Sequence, residues 1–260
     1  MLRERFYYLI HLEFLGFRYH GWQKQTDVKT VQYMLDRTLT FILEHDNFKT
    51  LGSSRTDAMV SAQHHMAELY IYEEQDTDKL KLDLNKNLPA DIRVKSVEQV
   101  DKSFQIIGSE KKKEYHYYFS FGEKAHPYSS PFLANFQDVL DINLMKECAK
   151  IFKGTHNFKL YCYRPQGKKE FEREVLTSEI IPNTYLQANF FPKVSFVYRI
   201  EGTGFLHHQV RLMMGTLIKV GLGELSLTDI RDSLNGEGDY PIGFIAPSSG
   251  LHLYKNEINL

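Results

Sequence analysis

Residues 52–62 have the sequence GSSRTDAMVSA, a polar turn that places one carboxylate between apolar stretches of chain. Asp57 lies two residues after Arg55 and is followed by small or apolar residues at positions 58, 60 and 62. A carboxylate in such a turn can be a nucleophile, a general base or only a turn former. Clusters of serine, threonine and aspartate most often cap a helix or close a turn, so the rest of the chain has to decide.

The composition is typical of a folded protein without a membrane span. The chain has 260 residues, of which 42% are hydrophobic, enough for one large domain or two of moderate size. Most of its 16 tyrosines and 18 phenylalanines are expected in the core. No window reaches the roughly 18 apolar residues of a membrane helix, and the charged start is unlike a signal peptide. We therefore expect a cytoplasmic protein.

The net charge of −1 means that any RNA-binding surface has to be a local patch, since nucleic-acid-binding domains are usually more basic. Two basic clusters are available. The first is Lys111, Lys112 and Lys113, directly before Tyr115, and it suits phosphate contacts. The second lies in a polar segment and comprises Arg164, Lys168, Lys169 and Arg173. For both clusters a solvated surface run is the simpler interpretation, and RNA contact is the alternative.

Hydrophobic periodicity predicts helices and strands in mixed order in both halves of the chain. We predict helices over residues 28–45, 76–87, 141–153, 205–222 and 226–234. We predict strands over residues 6–14, 66–72, 92–100, 115–121, 174–181 and 194–201, and a last strand after residue 250. The expected N-caps are Thr26 or Asp27, Asp141 and Ser226. The fold class is therefore α+β: two α/β units, residues 1–104 and 105–260, each with a mixed, mainly antiparallel sheet and sharing a central sheet with helices on one side.

Two further observations concern charged and metal-binding side chains. Arg211 lies on one helical row with Gly215, so it is either a half-buried guanidinium that needs a carboxylate partner or a surface arginine. The pairs at residues 64–65 and 207–208 are adjacent histidines, which cannot share one helix face as metal ligands do. Polar packing is the expected role of these histidines, and a histidine-metal hydrolase is a weaker alternative. The spacing of Cys148 and Cys162 predicts no metal site, and Cys148 is expected in the core.

A series of short motifs in chain order resembles one known family. They are YHGWQ at 19–23, TVQ at 30–32, RTDA at 55–58, NLPADIRV at 87–94, KEYHY at 113–117, GTHNF at 154–158, GFLHHQVR at 204–211, GTL at 215–217, AP at 246–247 and GL at 250–251. Over nearly its full length the chain is similar to the TruA family of tRNA pseudouridine synthases. The resemblance implies a tRNA substrate modified in or near the anticodon arm, a homodimer, an active-site cleft between the two units, and no metal or other cofactor.

The resemblance also implies roles for particular residues. Asp57 would be the nucleophile that attacks the target uridine, either at the base or at the ribose. Tyr115 would stack on the flipped base, Arg211 would pair with Asp57 and keep it ionised, and Arg55 would contact the RNA backbone. These roles fit the chemistry, because a uridine has to leave its stack to reach a carboxylate and an aromatic face offsets part of that cost.

The chain departs from the family pattern around the carboxylate. Ser54 and Met59 stand where most bacterial members have glycine, and Ser61 stands where they have histidine. Since glycine often marks a positive φ or a close neighbour, we expect the loop around Asp57 to be reshaped. Because Asp57, Tyr115 and Arg211 are all present, we predict an active enzyme. The alternative is a catalytically weakened paralogue that binds and remodels tRNA.

Overall fold

A computed structural model of the chain describes residues 4–107, 111–167, 170–235 and 243–258. These residues form two compact units. The first unit contains the described residues up to Lys111 together with those from Leu253 onward, and the second unit is Lys112–His252. In the part of the chain that is described, no helix is both long and apolar enough to cross a membrane.

The first unit is an antiparallel sheet with two helices. Its strands are β1 (Phe6–Phe14), β2 (Phe48–Gly52), β3 (Ser61–Ile71), β4 (Ile92–Val100) and the larger part of β10 (Leu251–Ile258). Strand β1 is hydrogen-bonded between β3 and β4, β2 pairs with β3, and β10 lies next to β3. The helices are α1 (Val31–Leu43) and α2 (Thr77–Asn87).

Helix α1 begins later than its sequence pattern predicts. Its N-cap is Thr30, whose side chain accepts a hydrogen bond from the Tyr33 amide, so the expected cap at Thr26 or Asp27 was wrong. Asp27 has a φ of 62°, in the left-handed region, whereas an N-cap residue is normally extended. The amide of Val31 instead donates to the carbonyl of Gly21, which joins the start of α1 to the preceding loop.

The second unit is a mixed sheet with three helices among its described residues. Its strands are β5 (Lys111–Phe121), β6 (Ala134–Phe136), β7 (Gly154–Asn157), β8 (Glu172–Pro182) and β9 (Phe196–Gly202). Strands β5, β9, β8 and β7 are neighbours in that order and antiparallel, while β6 pairs with β5 in parallel. The helices are α3 (Ile142–Ile151), α4 (Gln209–Gly221) and α5 (Leu227–Ser233). The predicted caps Asp141 and Ser226 are confirmed for α3 and α5.

The α+β class is confirmed, although two further element boundaries were wrong. Strand β3 begins at Ser61, five residues before the predicted start at Met66. Helix α4 begins at Gln209 and not at Phe205, because His208 has a φ of 59° and therefore interrupts any helix that runs through it. The aromatic residues supply much of the core, as expected: Tyr117, Tyr198 and Phe119 are fully buried in the second unit. Both cysteines are buried, as expected for Cys148.

Candidate active site

The Asp57 loop, residues 53–60, connects β2 to β3 in the first unit. Asp57 is half-buried and Arg55 is exposed. The amide of Val60 donates to the carbonyl of Asp57 at 3.2 Å, which closes a turn directly after the carboxylate. The amide of Ser53 donates to the carbonyl of Met66 at 2.9 Å. The Ser53 hydroxyl accepts a hydrogen bond from Asn256 Nδ2 at 2.7 Å. The first residue of the loop is thus tied to two strands.

The segment 19–22 supports the middle of the Asp57 loop. The amide of Met59 donates to the carbonyl of Tyr19 at 2.9 Å, and the amide of Trp22 approaches the carbonyl of Thr56 at 3.4 Å. Gly21 has a φ of 81°, and a Cβ atom there would lie 2.2 Å from the Thr56 carbonyl oxygen. Only glycine allows this approach, so the YHGWQ motif has a physical reason to contain it.

Asp91 also holds this segment in place. The hydroxyl of Tyr19 donates to Asp91 Oδ1 at 2.6 Å, and Arg18 forms a salt bridge with the same carboxylate. Burial and the hydrogen bond to Asp91 raise the pKa of Tyr19 to about 12, so its hydroxyl remains a donor at physiological pH. The NLPADIRV motif therefore contributes to the Asp57 loop through Tyr19. Local sequence pattern predicts neither the contact of segment 19–22 with the Asp57 loop nor the contact of Asp91 with Tyr19. Only the motifs shared with the family pointed to these residues.

The departures from the family pattern have separate structural consequences. Met59 has a φ of 66°, so a methionine occupies the left-handed conformation that glycine enters freely. The hydroxyl of Ser61 accepts a hydrogen bond from the amide of Gly16 at 2.9 Å. The hydroxyls of Ser54 and Thr56 are buried and have no hydrogen-bond partner among the described residues.

Tyr115 and Arg211 lie in the second unit. Tyr115 is on β5, opposite Ile200 of β9, and is 8% exposed. Its ring packs edge-on against Phe205, with the ring centroids 5.4 Å apart. Arg211 is in the first turn of α4, a helix in which every residue except Arg211 and Lys219 is buried.

The segment 243–247 positions the Arg211 side chain. Arg211 Nε donates to the carbonyl of Ala246 at 2.7 Å, and the Ala246 amide donates to the carbonyl of Arg211 at 3.2 Å. The chain can approach α4 this closely because residue 215 is glycine: a Cβ atom at Gly215 would lie 1.8 Å from the carbonyl oxygen of Phe244. The GTL and AP motifs thus belong to one contact.

Tyr117 lies beside this contact. Its hydroxyl donates to the carbonyl of Pro247 at 2.8 Å. Burial raises the pKa of Tyr117 above its usual range, and the charge of Arg211 opposes that rise. Tyr117 is therefore a neutral hydrogen-bond donor that fixes the segment next to Arg211.

The predicted RNA-binding lysines and arginines are only partly described. Lys112 is exposed, Lys113 is half-buried, and Arg164 is exposed with its guanidinium 5.1 Å from the centre of the Tyr163 ring. Lys168, Lys169 and the side chain of Lys111 lie outside the described residues. The ring centroids of His207 and His208 are 4.0 Å apart, and Tyr163 stacks on His208.

Comparison with known proteins shows to which class of protein this chain belongs. A family model described as tRNA pseudouridine synthase matches residues 148–257. The chain is 30% identical to tRNA pseudouridine synthase A 1 of Protochlamydia amoebophila over 257 residues, which cover 96% of this chain and 97% of that protein. It is 31% identical to tRNA pseudouridine synthase A of Thermodesulfovibrio yellowstonii, over 94% of this chain and 96% of that protein. It is 32% identical to the enzyme of that name from Aquifex aeolicus, over 95% and 98%.

These matches define the class as tRNA pseudouridine synthases. Within that class, the chain belongs to the tRNA pseudouridine synthase A, or TruA, family.

Proposed function

We propose that this protein is an isomerase that converts uridine to pseudouridine in tRNA. The observation that carries the proposal is the match to tRNA pseudouridine synthases A over 96% of the chain, with the RTDA motif in place. The half-buried position of Asp57 supports it, since a reacting carboxylate must be held in place and still reach a substrate. No cofactor is required, because the reaction only moves one carbon of the ribose from one atom of the base to another.

Asp57 is the proposed nucleophile: its carboxylate oxygen bonds transiently to the base or to ribose C1′, and this bond breaks again before the product leaves. The bond between ribose C1′ and uracil N1 breaks, the base turns over, and a bond between C1′ and C5 forms. The C5 proton leaves and N1 gains a proton, so atoms and charges balance. Arg211 is proposed to pair with Asp57, which would keep the carboxylate ionised and fix its rotamer. Tyr115 is proposed to stack on the extruded base and to help remove the C5 proton.

Binding of the tRNA is assigned to the basic residues. Arg55 is proposed to contact the backbone near the extruded nucleotide, and the remaining phosphate contacts are assigned to Lys111, Lys112, Lys113, Arg164, Lys168 and Lys169. The target uridine is proposed to lie in or near the anticodon arm. A homodimer in the cytoplasm completes the proposal, and the resemblance to the family is its support.

The test replaces the carboxylate without changing its size. We expect Asp57→Asn to lower the release of tritium from tRNA labelled at uridine C5 by at least roughly 10⁴-fold, while tRNA binding persists. The matched control is Asp78→Asn, which changes an exposed aspartate on α2 and should leave turnover unchanged. Normal turnover by Asp57→Asn would contradict the role of Asp57. Tight tRNA binding by the wild-type protein without any new pseudouridine would contradict the enzyme itself.

A further inference from the structure

His65 contacts the Asp57 loop and has no role in the reaction described so far. It lies in the middle of β3 and is completely buried. Its Nε2 is 3.0 Å from the carbonyl oxygen of Ser54. Because a carbonyl can only accept, the imidazole carries its proton on Nε2 and donates it to Ser54. The hydrogen bond therefore fixes the backbone three residues before Asp57.

Trp22 holds the His65 ring in place. The two rings stack with centroids 3.9 Å apart and planes 26° from parallel, and Trp22 is 2% exposed. Gly52 makes room for the indole, since a Cβ atom at that position would lie 2.0 Å from Trp22 Nε1. Phe14 flanks the imidazole with a centroid distance of 5.8 Å. A ring confined in this way cannot turn its Nε2 away from Ser54 without disturbing buried neighbours.

The same tryptophan connects His65 to the other side of the loop. The Trp22 amide approaches the carbonyl of Thr56, and the neighbouring Gly21 lies against the same carbonyl. The backbone is thus held at Ser54 by His65 and at Thr56 by the segment that carries Trp22. Asp57 is the next residue, so the direction of its side chain depends on both contacts.

We propose that His65 is a positioning residue for Asp57, acting through its hydrogen bond to the Ser54 carbonyl; this inference rests on the proposed function of Asp57. The hydrogen bond orients the carboxylate and touches no part of the substrate. Small displacements of a reacting group reduce turnover strongly, whereas tRNA affinity is spread over many phosphate contacts. Loss of the hydrogen bond therefore lowers kcat and leaves KM for tRNA nearly unchanged.

The test compares two amides that differ in reach. In His65→Gln the side-chain nitrogen is as many bonds from Cα as the imidazole Nε2, so it can donate to Ser54. In His65→Asn the amide is one methylene shorter and cannot. We expect kcat of His65→Asn to fall about 10- to 100-fold with KM for tRNA within about threefold of wild type. We expect His65→Gln to keep kcat within about threefold of wild type.

The matched control is His64→Asn. His64 is the adjacent residue on β3, its side chain points to the opposite face, and its Nε2 is 3.0 Å from His11 Nδ1. We expect this variant to keep wild-type kcat. Emission from Trp22, the single tryptophan of the chain, should stay at the short wavelength of a buried indole in all three variants.

Each other outcome contradicts the inference. Full activity of His65→Asn, or equal losses in His65→Asn and His65→Gln, would show that the hydrogen bond does not position Asp57. If the Trp22 emission shifts to longer wavelength in His65→Asn alone, the fall in kcat would come from disruption of the packing around Trp22. That result would overturn the proposed positioning role of His65. Failure of the proposed function has a different signature, because the wild-type protein would then release no tritium.

Discussion

The Asp57 loop and helix α4 each carry a proposed active-site residue, but they are held in different ways. The loop has no repeating structure of its own, and its backbone is bonded to the segment 19–22, to His65 and, at Ser53, to Met66. Helix α4 has its own hydrogen bonds and is buried along its length except at Arg211 and Lys219. The loop therefore depends on a few specific contacts, whereas the helix depends on general packing.

Both regions nevertheless contain a close approach between a glycine and a backbone carbonyl. The carbonyl oxygen of Thr56 would lie 2.2 Å from a Cβ atom at Gly21, and that of Phe244 would lie 1.8 Å from one at Gly215. Adding a single methyl group at each position tests the comparison directly. In the helix a clash displaces packed elements, and in the loop it displaces a short, partly exposed segment.

The largest effect is expected for Gly215→Ala. In an unconstrained helix this change stabilises by about 1 kcal/mol. Here the methyl group meets the carbonyl of Phe244, in a segment that two hydrogen bonds between Arg211 and Ala246 join to the helix. We expect the free energy of unfolding in urea to fall by roughly 3 kcal/mol or more.

The control for that variant is Gly204→Ala, because a Cβ atom at Gly204 would meet nothing within 4 Å. Its unfolding free energy should change by less than about 0.5 kcal/mol. If Gly215→Ala were more stable than wild type, segment 243–247 would have to move away from the added methyl group at little cost. The contrast between a helix fixed by packing and a loop fixed by a few hydrogen bonds would then no longer hold.

A smaller loss of stability is expected for Gly21→Ala. The left-handed φ costs alanine about 1–2 kcal/mol, and the methyl group pushes the Thr56 carbonyl aside. Since Asp57 follows Thr56, we also expect kcat for tritium release to fall by about 100-fold. Urea unfolding and single-turnover kinetics on the same preparations measure the two effects.

Gly122→Ala is the control that separates the strain of a left-handed φ from the contact with the Thr56 carbonyl. Gly122 has a φ of 90°, and a Cβ atom there would meet nothing within 4 Å. It should lose a similar 1–2 kcal/mol and keep its turnover. If Gly21→Ala also kept its turnover, the support of the Asp57 loop by segment 19–22 would be disproved.

The same contrast explains what sequence could predict. Caps at Asp141 and Ser226 were correctly predicted because a capping side chain bonds within its own turn, which is a local property. The starts of α1 and α4 were wrong because Asp27 and His208 adopt left-handed conformations, which hydrophobic periodicity does not predict.

The contacts of Tyr19, Trp22 and His65 with the loop join residues far apart in sequence, so periodicity contains no information about them. Motif resemblance identified Asp57, Tyr115 and Arg211 as candidates, and their catalytic roles stay a prediction.

The smallest effect, and a gain where the preceding variants lose stability, is expected for Met59→Gly. Relief of the left-handed φ returns about 1–2 kcal/mol, and the greater freedom of glycine in the unfolded chain removes part of it. We expect a net gain of about 0.5–1 kcal/mol in unfolding free energy. Met59 donates its amide to Tyr19 and glycine keeps that donor, so the loop geometry and kcat should be preserved.

Glu44→Gly provides the comparison for this gain. Glu44 has a φ of 60° at the C-terminal end of α1 and is not part of the Asp57 loop, and its replacement should gain a similar amount. Equal gains at the two positions would mean that Met59 affects stability only through the strain of its left-handed φ. If Met59→Gly gained no stability while Glu44→Gly did, the half-exposed methionine side chain would have to contribute packing that offsets its strain, and the loop would depend on a further contact.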